Sequence, residues 1–199
     1  MIMRSLLMIL LTSLALPLVA QDLVVKTTKI EAGFYLLQGR GGNVLASLGD
    51  DGLLLIDSDY GNYASAYQDA VNALGQEQVK YLINTHWHGD HTGSNAYWGD
   101  QGSLIFAHDN VLARMSTRQE NKLFNSVTEP SPRSAWPVVT YEDSLALHFN
   151  GDIVEAQHYP TGHTDGDTAV FFLAANIVHL GDHFFKDRFP FVDHSSGGS

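Results

Sequence analysis

The sequence contains no cysteine among its 199 residues. Disulfide bonds and thiolate metal ligands are therefore excluded, and any bound metal must be held by histidine, aspartate or glutamate. Basic residues are also few, because 11 Lys and Arg accompany 22 Asp and Glu and leave a formal net charge of −11. Since the basic residues form no cluster that would neutralise phosphates, we expect a small-molecule substrate and no nucleic acid as a partner.

Long apolar runs are absent except at the N-terminus. There, Arg4 precedes an apolar stretch from Leu6 to Leu16, Pro17 interrupts it, and Ala20 is a small residue before Gln21. This pattern predicts a secretory signal peptide over residues 1–20, too short and wrongly flanked for a membrane-spanning helix. We therefore expect a periplasmic or secreted protein without stable membrane association after cleavage. Residues 21–199 have the length of one domain. Nothing in the sequence indicates the oligomeric state.

Three histidines and one aspartate lie within six residues of the stretch Thr85-His86-Trp87-His88-Gly89-Asp90-His91. The apolar run before it, from Val79 to Ile83, predicts a buried strand. His86 and His88 would point to the same side of an extended chain, and Gly89 permits a turn that brings Asp90 and His91 to the same volume. A lone His-x-His is usually an ordinary polar loop. Four ligand-type side chains in this order favour a site for one or two cations such as zinc.

Two further candidate ligands follow later strands. A predicted β-meander over residues 145–158 leads into Gly162-His163-Thr164, and a strand pair over 168–173 and 177–180 leads into Gly181-Asp182-His183. Every candidate ligand thus follows a strand end, which is the evidence from the residues themselves for one shared site. His108 also follows a predicted strand, but no partner motif surrounds it, so it is predicted to be a rim or structural residue. The histidines without this context are predicted to be ordinary polar or packed side chains: His148, His158, His179 and His194.

These motifs resemble those of the metallo-β-lactamase superfamily of metal-dependent hydrolases, over the chain from about Val24 to its end. The resemblance implies an α/β fold, the αβ/βα four-layer sandwich of that family, with the C-terminal helix–strand–helix missing from this chain. It also implies a metal-ligand set, divided between two metals. The first metal would be held by His86, His88 and His163, the second by Asp90 and His91, and Asp182 would bridge the two. One further family histidine, expected near the C-terminus, has no counterpart here, and Asp57 would steady the metal loop from below.

The resemblance implies a reaction as well. A hydroxide bound to metal, most simply to a pair of zinc ions, would attack the carbonyl of an ester, thioester, lactone or β-lactam, with Asp90 as the catalytic carboxylate that orients it. Iron in place of zinc stays open. His at position 88 argues against the oxygen-reducing di-iron branch of the family, which has Glu there. The alternatives are a β-lactamase proper, a sulfur dioxygenase with one iron on His86, His88 and His163, and an inactive metal-binding module.

Overall fold

The structure, a computed structural model, describes residues 24–199. The predicted signal peptide, residues 1–20, lies outside the described residues, so it stays a prediction. Among the described residues, every helix is too short or too polar to serve as a membrane span.

Two β-sheets form the framework of the protein. The larger has seven strands in the spatial order β1-β2-β3-β4-β5-β6-β9. Its strands are β1 (Lys26–Glu31), β2 (Phe34–Gln38), β3 (Asn43–Gly49), β4 (Gly52–Ile56), β5 (Tyr81–Ile83), β6 (Leu104–His108) and β9 (Val139–Tyr141). Strands β1 to β4 pair in antiparallel fashion, whereas β4, β5, β6 and β9 are parallel. The carboxyl ends of these parallel strands therefore meet at one edge of the sheet.

The smaller sheet is an antiparallel meander of four strands. It consists of β10 (Ser144–Phe149), β11 (Asp152–His158), β12 (Thr168–Phe172) and β13 (Ile177–His179). A separate hairpin of β7 (Gln119–Asn121) and β8 (Ser126–Thr128) stands outside both sheets. We call this element the β7–β8 hairpin.

Within residues 24–199, four α-helices connect the strands: α1 (Ala64–Ala73), α2 (Gly89–Thr92), α3 (Asn95–Asp100) and α4 (Asp109–Met115). Tyr67 and Val71 of α1 and Trp98 of α3 pack on one face of the large sheet. The other face packs on the small sheet, as in the contact of the Phe34 and Phe172 rings, whose centroids are 4.9 Å apart. Burial on both faces explains why β4 reads Leu-Leu-Leu-Ile without polar alternation.

A polar clamp joins the two sheets at the end away from the parallel strand termini. The turn at Asp51 and the turn at Asn150 are linked twice, since the Asp51 amide donates to Asn150 Oδ1 at 3.0 Å and the Asn150 amide donates to Asp51 Oδ2 at 2.7 Å. Asn150 has a positive φ of 54°, which Asn tolerates better than most residues. The clamp fixes the spacing of the sheets and so, indirectly, the alignment of their opposite ends.

The α/β architecture predicted from the sequence is confirmed, including the strand–helix–strand unit around α1. The strand before the histidine motif, β5, begins at Tyr81 and is therefore shorter than the strand predicted from Val79 to Ile83. The β7–β8 hairpin and β9 were not predicted from the sequence, because strands of three residues are too short to show a clear alternation.

Candidate metal centre

Asp57 organises the histidine loop from below. It directly follows β4, is fully buried, and accepts three hydrogen bonds. The Thr85 amide and hydroxyl each donate to it at 2.8 Å, and His91 Nδ1 donates at 2.7 Å. One carboxylate thus fixes both the start of the loop and the orientation of a histidine in α2, the role that the family resemblance implied.

Three imidazoles converge from two parts of the chain. His86 and His88 follow β5, and His163 lies in the loop after β11. His86 Nε2 lies 3.2 Å from His88 Nδ1, and His163 Nε2 lies 2.8 Å from the same His88 nitrogen. Two nitrogens on a tetrahedral zinc, each about 2.0–2.1 Å from the metal, would lie about 3.3 Å apart. The spacing of this first group is therefore close to what one cation requires.

The outer nitrogen of each ring has an acceptor. His88 Nε2 lies 3.0 Å from Asp193 Oδ2, and His163 Nδ1 donates to the Phe191 carbonyl at 2.7 Å. His86 Nδ1 lies 3.1 Å from Thr85 Oγ1, which is free to accept because its own proton goes to Asp57. With the outer nitrogens protonated, the inner nitrogens carry lone pairs.

Lone pairs that face each other repel unless a cation lies between them. Protonation does not relieve this repulsion readily at His86 and His88. Burial, and then the neighbouring histidines, lower the pKa of His86 well below its usual value, and burial followed by His163 lowers the pKa of His88. The three imidazoles therefore fit a divalent cation, as metal-binding histidines fixed by outer partners do.

A second group lies beside the first. His91 Nε2 lies 3.1 Å from Asp182 Oδ1, and Asp182 Oδ2 lies 3.5 Å from His163 Nε2, so Asp182 stands between the two groups. His91 Nε2 is buried and makes no hydrogen bond of acceptable geometry. Burial by itself lowers the pKa of His91, but Asp57 and Asp182 outweigh it and raise the pKa well above its usual value. His86, His91 and Asp182 place imidazole nitrogens and a carboxylate oxygen close together, and these are donor types that bind a second cation.

Asp90 lies at the rim of the second group. Its Oδ2 is 3.6 Å from His91 Nε2, and its side chain is partly exposed. A cavity of about 660 Å³ opens directly on Asp90, His91 and Asp182. The Gly39–Gly42 turn closes one side of this cavity, where the Gly42 amide donates to the Asp90 carbonyl at 3.0 Å.

A buried polar network holds the backbone of His91. The His91 carbonyl accepts from the Ser58 amide at 2.8 Å, from the Ser58 hydroxyl at 3.1 Å and from Asn84 Nδ2 at 3.3 Å. Asn95 Nδ2 donates to Asn84 Oδ1 at 2.8 Å, and all three of these polar residues are at least 99% removed from solvent. The ligand loop is therefore held rigidly on the side away from the cavity.

The structure brings together all six residues predicted as ligands: His86, His88, Asp90, His91, His163 and Asp182. Asp90 is the most peripheral, and the metal-binding role of the set stays a prediction. His183 does not join the cluster, since its Nδ1 lies 3.9 Å from Asp167 instead. His108 caps α4 by accepting from the Asn110 amide and stacks on His158 with ring centroids 3.6 Å apart.

Asp193 is a residue of the site that sequence reasoning missed. It is buried and binds His88, and it also accepts hydrogen bonds from the side chains of Ser195 and Ser196. Burial by itself raises the pKa of Asp193, but the hydrogen bonds from Ser195, Ser196 and His88 outweigh it and lower the pKa to about 2. It is therefore an ionised partner for His88 across the working pH range. The only local signal is an acid followed by two serines, Ser195 and Ser196, which is typical of a turn and does not indicate a distant histidine.

Comparisons with known proteins agree with this geometry. The family description "Metallo-beta-lactamase superfamily" matches residues 37–198. Solved structures with a similar fold include a metallo-β-lactamase of Cronobacter sakazakii, with TM-score 0.71, 18% identity and 88% of this chain covered. A subclass B3 metallo-β-lactamase of Bradyrhizobium japonicum has TM-score 0.65, 18% identity and 76% of this chain covered. A class B3 di-zinc metallo-β-lactamase from an Alaskan soil metagenome has TM-score 0.64, 19% identity and 83% of this chain covered.

The present chain spans 70%, 58% and 60% of those three solved chains, and identities this low show a shared fold alone. A curated relative, the coenzyme F420H(2) oxidase of Methanothermobacter marburgensis, is 38% identical over 63 residues, which are 30% of this chain and 16% of the relative. Because the family match covers most of the chain, including every residue of the candidate centre, the protein belongs to the metallo-β-lactamase superfamily.

Proposed function

We propose that the protein is an exported zinc-dependent hydrolase that cleaves the bond between the carbonyl carbon and the heteroatom of an ester, thioester, lactone or β-lactam. The observation that carries the proposal is the convergence of three imidazoles beside a carboxylate, Asp182, that lines an open cavity. Export rests on the signal-peptide pattern of residues 1–20. The acidic composition supports a small-molecule substrate rather than a nucleic acid.

His86, His88 and His163 would hold the first cation, and His91, Asp90 and Asp182 the second, with Asp182 shared. A divalent cation bound there supplies Lewis acidity and lowers the pKa of a coordinated water from about 15.7 toward 7. Neutral imidazole ligands suit this chemistry because they leave the positive charge of the cation largely uncompensated. The outer partners, Asp57 and Asp193, hold their histidines in the required tautomer.

Asp90 is the residue placed to move a proton. Its carboxylate faces the cavity at the edge of the ligand cluster. As the oxygen of a water molecule attacks the substrate carbonyl carbon, Asp90 accepts one of its protons, and it returns that proton to the leaving atom when the carbonyl–heteroatom bond breaks. The buried network beneath His91 keeps the neighbouring carboxylate in register with the substrate.

Two narrower functions have their own support. The class B3 lactamase neighbours favour a β-lactam as substrate. The oxidase relative favours a redox role, although His88 stands where the resemblance places Glu in the oxygen-reducing di-iron branch of the family. Metal analysis separates the two chemistries, because zinc supports hydrolysis and iron supports oxidation.

A hydrolysis screen with matched variants tests the proposal. Purified protein loaded with zinc is offered a chromogenic cephalosporin, thioesters, simple esters and lactones. We expect turnover of at least one class, loss of that turnover in His163→Ala, and no change in His148→Ala, whose histidine is exposed and away from the cluster. Absence of turnover for every class, or equal activity in His163→Ala, would refute the hydrolase assignment.

A further inference from the structure

The chain between Asp182 and Asp193 contains an unusual run of aromatic residues. Residues 184–191 read Phe-Phe-Lys-Asp-Arg-Phe-Pro-Phe, and we call them the aromatic segment. Phe184 is 65% exposed, Phe189 95% and Phe191 39%. Both ends of the segment are tied to the candidate centre, since Asp182 belongs to the ligand cluster and Asp193 binds His88.

The segment lies directly against one candidate ligand, His163. The centroid of the Phe191 ring is 5.7 Å from that of His163, and the Phe185 ring is 6.0 Å from the same histidine. Phe184 and Phe185 also line the cavity that opens on Asp90 and Asp182. The aromatic surface therefore borders the place where a substrate carbonyl would lie.

The β7–β8 hairpin extends this surface from the other side. Phe124 at its tip is 62% exposed, and its ring lies 6.1 Å from that of Phe191. Two hydrogen bonds fix the turn at the tip, since the amides of Leu123 and Phe124 both donate to Asn121 Oδ1 at 3.1 Å. Asn121 Nδ2 in turn lies 3.5 Å from Asp193 Oδ1, so the hairpin is anchored to the same aspartate that holds His88.

Large apolar side chains that are exposed next to a polar site usually mark a binding surface. A membrane anchor would also use exposed aromatics interleaved with Lys and Arg. Here, however, Phe185 and Phe191 lie against His163, and Phe124 is directed onto Phe191. These aromatic rings lie beside the candidate metal ligands and do not form a separate surface away from them. This position favours contact with a bound substrate over contact with a membrane.

We propose that Phe124, Phe191 and the aromatic segment bind an apolar acyl arm of the substrate, so that medium-chain acyl compounds are preferred over acetyl compounds. This inference rests on the proposed hydrolase function and adds the substrate class. A methylene group buried on the aromatic surface contributes up to about 0.8 kcal/mol. Partial burial on an open surface then corresponds to about a twofold to fourfold gain in kcat/KM for each added methylene.

The test is an acyl-chain series of esters and N-acyl lactones, from acetyl to decanoyl, below their micelle concentrations. We expect kcat/KM to rise along the series, and Phe124→Ala to lower the ratio of the decanoyl to the acetyl value about tenfold. Leu173→Ala is the matched control, because Leu173 is another exposed apolar residue but follows β12 at the opposite end of the small sheet. It should leave the series unchanged.

A binding measurement that needs no catalysis distinguishes failure of this inference from failure of the hydrolase assignment. Calorimetry with butanoate, octanoate and decanoate needs no turnover, and we expect affinity to increase with chain length in the wild type and to flatten in Phe124→Ala. Chain-length independence in both assays would overturn the inference even if hydrolysis is found. Tight binding to anionic phosphatidylglycerol vesicles that depends on Phe124, without chain-length selectivity, would also overturn it and assign the surface to a membrane.

Discussion

Replacement of Asp193 by Asn tests the way in which the structure orients His88. Asp193 Oδ2 lies 3.0 Å from His88 Nε2, and the carboxylate is ionised because its pKa is lowered to about 2. An amide keeps the size but removes the negative charge, so His88 is held less firmly with its Nδ1 toward the other imidazoles. Partners of this kind contribute a factor of about 10–100 to metal affinity. We therefore expect zinc binding at the first group to weaken by about 1.4–2.7 kcal/mol.

The assay is competition for zinc against a chromophoric chelator, with thermal unfolding of the metal-free protein as the test for intact folding. Ser195→Ala is the control, because it removes a contact of Asp193 while leaving the contact to His88 in place. It should weaken zinc binding much less than Asp193→Asn. If Asp193→Asn binds zinc as tightly as the wild type with unchanged unfolding, the argument that Asp193 orients His88 is wrong.

Three other perturbations probe the site, the fold and a titrating group. His86→Ala should abolish tight zinc binding in calorimetry, whereas His108→Ala should retain it, because His108 lies outside the ligand cluster. Asn150→Ala should lower the free energy of unfolding in urea by about 1 kcal/mol more than Asn150→Gly, since both remove the clamp side chain but only alanine is strained at a φ of 54°. Burial, and then the stacked His158, lower the pKa of His108 below 6.5 in the folded protein. Between the two pKa values the unfolded chain therefore binds more protons than the folded protein. The contribution of His108 to the free energy of unfolding is complete above pH 6.5 and is lost as the pH falls. His108→Gln should flatten the dependence of unfolding free energy on pH in metal-free protein.

Each of these has a result that would contradict it. Equal zinc affinity in His86→Ala would remove that ring from the ligand set. Identical unfolding free energies for the two Asn150 variants would show that the turn relaxes without strain. A parallel pH curve for His108→Gln would show that His108 titrates alike in the folded and unfolded chain.

The ligand set was accessible from the sequence because its members follow strand ends. His86 to His91 are adjacent in the chain, and local geometry alone directs them to one volume. His163 and Asp182 are distant from this group in sequence. They were predicted to join it for two reasons: each follows a strand, and each occurs in a motif that resembles the family pattern. The structure brings them to the cluster because β11 and β13 end at the same side of the molecule as β5.

The residues that hold the ligand histidines in place could not be predicted in the same way. Asp193 meets His88 across 105 residues, and no local pattern relates the two positions. The buried amides of Asn84 and Asn95 look in sequence like ordinary polar residues near a turn. Their roles depend on tertiary packing that places a donor within reach of the His91 carbonyl, and single-sequence periodicity carries no information on such a contact.

The β7–β8 hairpin shows the same limit for secondary structure. Its strands of three residues are almost fully exposed, so they lack the alternation that marks a half-buried strand. What stabilises it is the local turn at Asn121 and the contact of Phe124 with Phe191. A residue that lies beside the site can therefore sit in a segment without any periodic signal.

The arrangement of the three imidazoles implies that His86, His88 and His163 share one cation. Anomalous diffraction at the zinc edge, from crystals grown with zinc, locates such a cation without any assumption about activity. We expect a strong peak about 2.0–2.1 Å from His86 Nε2, His88 Nδ1 and His163 Nε2. A zinc-saturated crystal with no peak among these three nitrogens, and with the rings turned away from one another, would contradict it.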